Sequence, residues 1–227
     1  MVGISPSQIT DWLVPSRNLF LTIHVLGVAC FLYIVAKRLA PFFRAESDLR
    51  FDRPLTRLGR VLQYWLGQWR HPRYKFAGIL HILIFAGFIL LAARAFTTLI
   101  VGVSENFVMP GLSGRAGHIY DIVTDYAATV VSLCMVVAVI RRLVFKPARY
   151  AVPAKYGKAH TADAVFLLVL IATLMVADSL FAASKAAGYP LQDRPIEALA
   201  FPSLPWMLHV VLGSASLTTL WIVNVTA

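Results

Sequence analysis

Charge is scarce in this sequence, and acidic charge is scarcest. Of 227 residues, 14% are Asp, Glu, Lys or Arg, with 11 acidic against 21 basic. A soluble domain of this length carries about a quarter charged residues, so an ordinary water-soluble globule is excluded. Cysteine is nearly absent: Cys30 and Cys134 both fall inside apolar runs and form no CxxC pair. An iron–sulfur cluster needs several thiolates, so these two cannot hold one; they are expected to be packing residues. Walker loops, HExxH, serine triads and zinc-ligand patterns are missing. So are the roughly ten-residue alternating segments of a membrane barrel. The opening stretch MVGISPSQITDWLVPSR lacks the pattern of a cleavable signal.

What the sequence has instead is long apolar runs, with 59% hydrophobic residues. A helix of about 20 apolar residues crosses the roughly 30 Å of bilayer hydrocarbon. Five such runs stand out, at about 18–36, 76–101, 119–140, 162–183 and 206–227. The expected fold is a single-domain, all-α integral membrane protein, a five-transmembrane-helix bundle. The formal net charge of +10 would fit nucleic acid, but its placement excludes that partner. Sixteen basic residues sit in two loops: Lys37, Arg38, Arg44, Arg50, Arg53, Arg57, Arg60, Arg70, Arg73 and Lys75, then Arg141, Arg142, Lys146, Arg149, Lys155 and Lys158. The other side holds Arg17, Arg115, Lys185 and Arg194. The positive-inside rule puts both basic loops in the cytoplasm and the N-terminus outside, as in a bacterial-type inner membrane. The expected neighbour is membrane lipid.

Between the first two runs, Leu55, Leu58, Leu62, Trp65 and Trp69 recur at helical spacing beside Arg53, Arg57 and Arg60. Asp52 is placed to cap this segment, and Pro54 suits a first helical turn. Residues 54–69 therefore read as an amphipathic helix on the inner membrane surface, or as a docking surface for a cytoplasmic partner. The outer connections, 104–117 and 185–205, are rich in Pro and Gly and read as loops. The last run ends WIVNVTA without an anchor, about where one crossing is complete. Either the chain stops at the inner surface or the sequence continues past residue 227; the second is expected.

Ionisable residues inside a bilayer are costly and therefore candidates for function. His24, His81 and His209 lie within apolar runs, His118 lies at a run's entrance, and His71 and His160 lie at the inner boundary. A lone membrane histidine is as often a helix–helix hydrogen-bonding residue. Several in one small bundle point to b-type haem, one or two, whose iron takes two axial imidazoles. On the expected topology His24, His118 and His209 lie near the outer face and His81 in the inner half. An outer haem would pair His209 with His118 or His24, and His81 would need an inner partner. Gly78, Ala86, Gly87 and Gly213 make room for a cofactor or for close helix packing. Arg94 can pair with Asp178 or hold a haem propionate. Asp121 and Asp125, with His118 and Tyr120, form either a quinone site that handles protons or a solvated helix end.

The segments FDRPLTRLGRVLQYWLGQWR, GILHILIFAGFILL, GHIYDIVTDYAATVVSLCMVVAVIRRLVFKP, LMVAD and WMLHVVLG together resemble one family. It is the nitrate reductase gamma subunit-like cytochrome b domain, in the form attached to heterodisulfide reductase-type iron–sulfur proteins. The resemblance covers roughly residues 50–220, with LHILIFAGF and WMLHVVLG its most specific parts. It implies a five-helix dihaem cytochrome b that passes electrons between membrane quinone (menaquinone or ubiquinone) and a cytoplasmic iron–sulfur partner. His81 resembles the ligand early in the second helix, and His209 the ligand early in the fifth. The family's second histidine on the second helix falls here on Leu91, so His118 or His24 would have to substitute. Its late histidine on the fifth helix would fall near Val225 to Ala227, where none stands. The expectation is an electron-transfer subunit with an iron–sulfur or flavin partner, rather than a complete enzyme. A haem-free membrane anchor recruiting a soluble redox complex is the alternative. A small transporter would need broken helices and repeat symmetry, which the apolar runs do not show.

Overall fold

A computed structural model describes residues 6–44, 52–101, 107, 109–146, 161–187, 199–215, 219 and 223, with backbone alone for 6–17, 20, 101, 161 and 185. Among the described residues every regular element is a helix, with no strand. The helices are α1 (Pro6–Arg44), α2 (Pro54–Val61), α3 (Lys75–Val101), α4 (Gly114–Ile140), α5 (Thr161–Ala186) and α6 (Leu204–Leu212). Four helical segments are long and apolar enough to cross a membrane: Leu21–Arg44, part of Pro54–Ile100, Gly114–Phe145 and Ala162–Ser184. That is compatible with a multi-pass membrane protein. Large apolar side chains point outward along them, among them Phe31, Phe88, Leu133 and Phe166. Water would not tolerate so much contiguous apolar surface on a monomer; lipid does.

The chain divides into two compact units, Met1–Gly67 with Thr97–Phe107, and Gln68–Phe96 with Val108–Ala227. In the first unit α1 has 39 residues, about 58 Å at 1.5 Å per residue, so it extends well beyond the apolar run 18–36 at both ends. Downstream, α2 begins at Pro54 and passes at Leu62 into a wider π turn ending at Leu66, with none of these residues buried. Asp52 does not cap it. The residue at the cap is Arg53, in a left-handed conformation and without a side-chain cap bond. Asp52 instead accepts from the Arg57 guanidinium at 2.6 Å, because a cation one turn into the helix outcompetes the backbone amides for that carboxylate.

The second unit is built on α4. Leu91 of α3, Ala127, Ala128, Val131 and Met135 of α4 and Met175 of α5 form its buried core. With no hydrophobic driving force between helices in lipid, small residues set how closely they approach. Gly87 shows this: a Cβ there would lie 2.3 Å from a methyl of Val131. Cys134 is buried in the same unit, whereas Cys30 on α1 is exposed, so the packing role fits only the former. A second cluster joins Ala183 of α5 to Leu212 of α6, with Leu180 and Leu208 against it.

The last apolar run does not form one described helix from 206. α6 has nine residues, about 14 Å, and ends in a turn that the Ala215 N–H closes on the Leu212 carbonyl. Of 216–227, the described residues are Thr219 and Val223 alone. The C-terminal end of that run with the Val225–Ala227 position, His160, most of the second basic loop and parts of the 104–117 and 185–205 connections lie outside the described residues.

Candidate functional site

The polar residues of the second unit gather at its two ends. At the end where α5 finishes and α4 and α6 begin, Arg94 is the centre. Its Nη1 donates to Asp125 Oδ1 at 3.1 Å and to Thr124 Oγ1 at 3.2 Å, and its Nε lies 3.2 Å from Asp178 Oδ1. Of the two readings of Arg94, the structure realises the pairing with Asp178 and adds Asp125. Asp125 is fully buried, and its other oxygen accepts from the Ala200 N–H at 3.2 Å. It is therefore no solvated helix end. Buried ion groups of this kind persist only when each charge is met by partners, and this one draws them from α3, α4, α5 and the lead-in to α6. Tyr120 donates to the Leu90 carbonyl at 2.6 Å. Asp121 remains partly exposed, and His118 is exposed.

His209 sits on α6 beside α5. Its Nδ1 lies 3.5 Å from the Ala183 carbonyl, a long contact in which a carbonyl can only accept. A hydrogen bond along this contact requires the tautomer with the proton on Nδ1, which leaves the lone pair on Nε2. That is the arrangement of a metal-ligating imidazole, whose second nitrogen is tied to a carbonyl or carboxylate. The donor at His209 fits haem iron. Gly213, one turn on, ends the helix rather than lining a cleft.

At the other end of the unit, His81 stacks on His71, with ring centroids 4.2 Å apart and planes 14° from parallel. His71 opens a 3-10 turn, His71–Tyr74, that runs directly into α3. Gly78 allows it: a Cβ there would lie 1.7 Å from the His71 carbonyl oxygen. The Nδ1 of His71 is buried without a hydrogen-bond partner. The sequence marks His71 as a boundary residue only, and its contact with His81 emerges from the fold. The signals that point to it are Pro72 and a glycine one turn into the helix. At this end too, the Arg141 guanidinium lies 5.8 Å from the centre of the Phe76 ring.

His24 belongs to the first unit, where it lines an apolar groove with Leu21, Val25, Val28, Ala29, Leu32 and Leu99. Leu91 is a core residue. Among the described residues no three His, Cys, Asp or Glu side chains converge as they would on a bare metal ion. A b-type haem makes a smaller demand, two imidazoles.

Over 127 residues, 56% of its length, the chain is 28% identical to a protein of Bacillus subtilis (strain 168) described as "Probable iron-sulfur-binding oxidoreductase FadF". The matched part is 17% of that protein, so the chain spans less than a fifth of the relative's length. The likeness is to a redox-related protein. No protein-family model matches the chain, and no solved structure matches it.

Proposed function

We propose that this chain is a haem b-containing membrane subunit of a quinone-linked oxidoreductase, passing electrons between membrane quinone and a cytoplasmic iron–sulfur or flavin partner. The observation that carries the reading is His209, whose Nδ1 faces the Ala183 carbonyl at 3.5 Å, so that a hydrogen bond there would leave the Nε2 lone pair for a ligand. The likeness to an iron–sulfur-binding oxidoreductase supports it. A bound haem supplies one-electron transfer. His209 would hold one haem near the outer face, with His118 as its partner in the same unit. His81 would hold a second in the inner half. Of the two carboxylates at the outer end, the partly exposed Asp121 would be the one to meet a quinone, menaquinone or ubiquinone. Asp125 already has both oxygens engaged.

In this reading the chain crosses a bacterial-type inner membrane five times with its N-terminus outside, and α2 lies on the inner surface. The iron–sulfur partner would dock on the basic inner loops. The alternative is a haem-free anchor for a soluble redox complex, favoured by the wholly exposed α2 with its separate apolar and basic faces. A reduced-minus-oxidised absorption spectrum of the purified chain, with haem counted per polypeptide, separates the two. The proposal expects a b-type spectrum that is lost or halved in His209→Ala and in His81→Ala. A folded chain without haem overturns it and leaves the anchor.

A further inference from the structure

A helix starts with backbone N–H groups that have no partner inside it. In α6 each is satisfied, and one of the partners comes from α4. The Leu204 N–H donates to Thr129 Oγ1 at 2.8 Å. Pro205 has no N–H. The Trp206 N–H donates to Ser203 Oγ at 3.3 Å, and the Met207 N–H to the Ser203 carbonyl at 2.9 Å. Two more bonds hold the segment just before: Ala200 N–H to Asp125 Oδ2, and Tyr126 hydroxyl to the Phe201 carbonyl. The three pairs 125–200, 126–201 and 129–204 share one offset of 75 residues. Residues 125 and 129 are one helical turn apart with 126 beside them, so they present a common face. The lead-in to α6 runs along that face in a fixed register.

Two of the three rungs are themselves braced. Asp125 is held by Arg94. The Thr129 hydroxyl donates to the Asp125 carbonyl at 2.7 Å while it accepts from Leu204, so both of its functions are used. His209 follows Leu204 by five positions on the same helix. A slip of one residue in register would turn its imidazole by about 100° around the helix axis. The contact to Ala183, at 3.5 Å, is too long to prevent that alone.

We propose that Asp125, Tyr126 and Thr129 are positioning residues for His209: the register they impose on residues 200–204 sets the direction in which its Nε2 points. The inference rests on the haem reading and deepens it, since a ligand's orientation sets the electronic signature of its iron.

The test uses the full chain with its haem, and reads haem per polypeptide together with the low-field electron paramagnetic resonance line of the oxidised haem. Thr129→Val removes both hydroxyl bonds at nearly constant volume; the expected result is retained haem with the line shifted beyond its width. Thr129→Ser keeps both bonds and returns the line to the wild-type position. Thr173→Val, the same change at an exposed α5 hydroxyl bonded within its own helix, leaves the line in place. Tyr126→Phe deletes one hydroxyl, shifts the line in its own right, and serves if Thr129→Val fails to fold. Haem-bound Thr129→Val and Tyr126→Phe with unshifted lines overturn the positioning role while the haem reading stands. A folded wild type without haem overturns both.

Discussion

Arg94 joins two carboxylates in the second unit. Its side chain is 14% exposed and meets Asp125, which is 0% exposed, and Asp178. Removing one partner of a buried ion pair leaves the other charge without compensation, at a cost of about 3–5 kcal/mol. Arg94→Leu is therefore expected to destabilise the chain by about that amount, read as a lower thermal unfolding midpoint in detergent. If the loss comes from stranded carboxylates, adding Asp125→Asn and Asp178→Asn should restore much of it. A triple variant no more stable than Arg94→Leu would mean that the guanidinium acts through packing of its stem. Asp125→Asn alone separates the two duties of that residue, because an amide oxygen still accepts from Ala200 but no longer balances Arg94.

Among the elements, α3 depends on two close approaches made possible by glycine. At Gly78 a methyl group would meet a backbone carbonyl at 1.7 Å, and backbone cannot move aside as a side-chain tip can. Gly78→Ala should push the His71–Tyr74 turn off the helix, separate His71 from His81, and cost about 1–3 kcal/mol, the usual range for overpacking. Gly27 on α1 is the control, since a methyl group there would meet nothing within 4 Å. There the helix propensity of alanine should add up to about 1 kcal/mol. Thermal midpoints of the two variants should move in opposite directions; equal shifts would remove the steric account. The turn also shows where sequence reading stops. Apolar runs make α3, α4 and α5 visible because periodicity and length are local properties. The stacking of His71 on His81 accompanies an unusual backbone at Lys75, where φ is 32°, which no apolar pattern marks. The break after Leu212 falls at Gly213 and Ser214, small residues that also occur inside continuous membrane helices, so their presence alone does not mark it. The rungs from Asp125 to Ala200 and from Thr129 to Leu204 join residues 75 apart, so composition places the polar groups at one end of the bundle without pairing them. Arg94 with Asp178 was legible as a pair because two opposite buried charges at matching depth need each other. That Asp125 joins them was not, since an aspartate early in a helix looks the same in sequence whether it faces water or an arginine.

For the whole molecule the decisive property is which way it lies across the membrane. The helix Gly114–Phe145 has 32 residues, about 48 Å at 1.5 Å per residue, enough to carry its two ends clear of the roughly 30 Å hydrocarbon layer. Arg141, Arg142 and Lys146 mark one end and Arg115 the other. On the proposed topology, which follows the charge bias across the loops, the Lys146 end lies in the cytoplasm. Replacing Cys30 and Cys134 with alanine and adding a single cysteine, Ser113→Cys or Lys146→Cys, turns this into a labelling experiment. In intact bacterial spheroplasts a membrane-impermeant maleimide should modify the cysteine at 113 and spare the one at 146, which should react only after lysis. The reverse pattern would invert the topology and place the basic loops, with any redox partner, outside. Equal labelling of both in intact spheroplasts would mean that this helix does not cross the membrane, and His118 and His81 could then not be assigned to opposite halves of the bilayer.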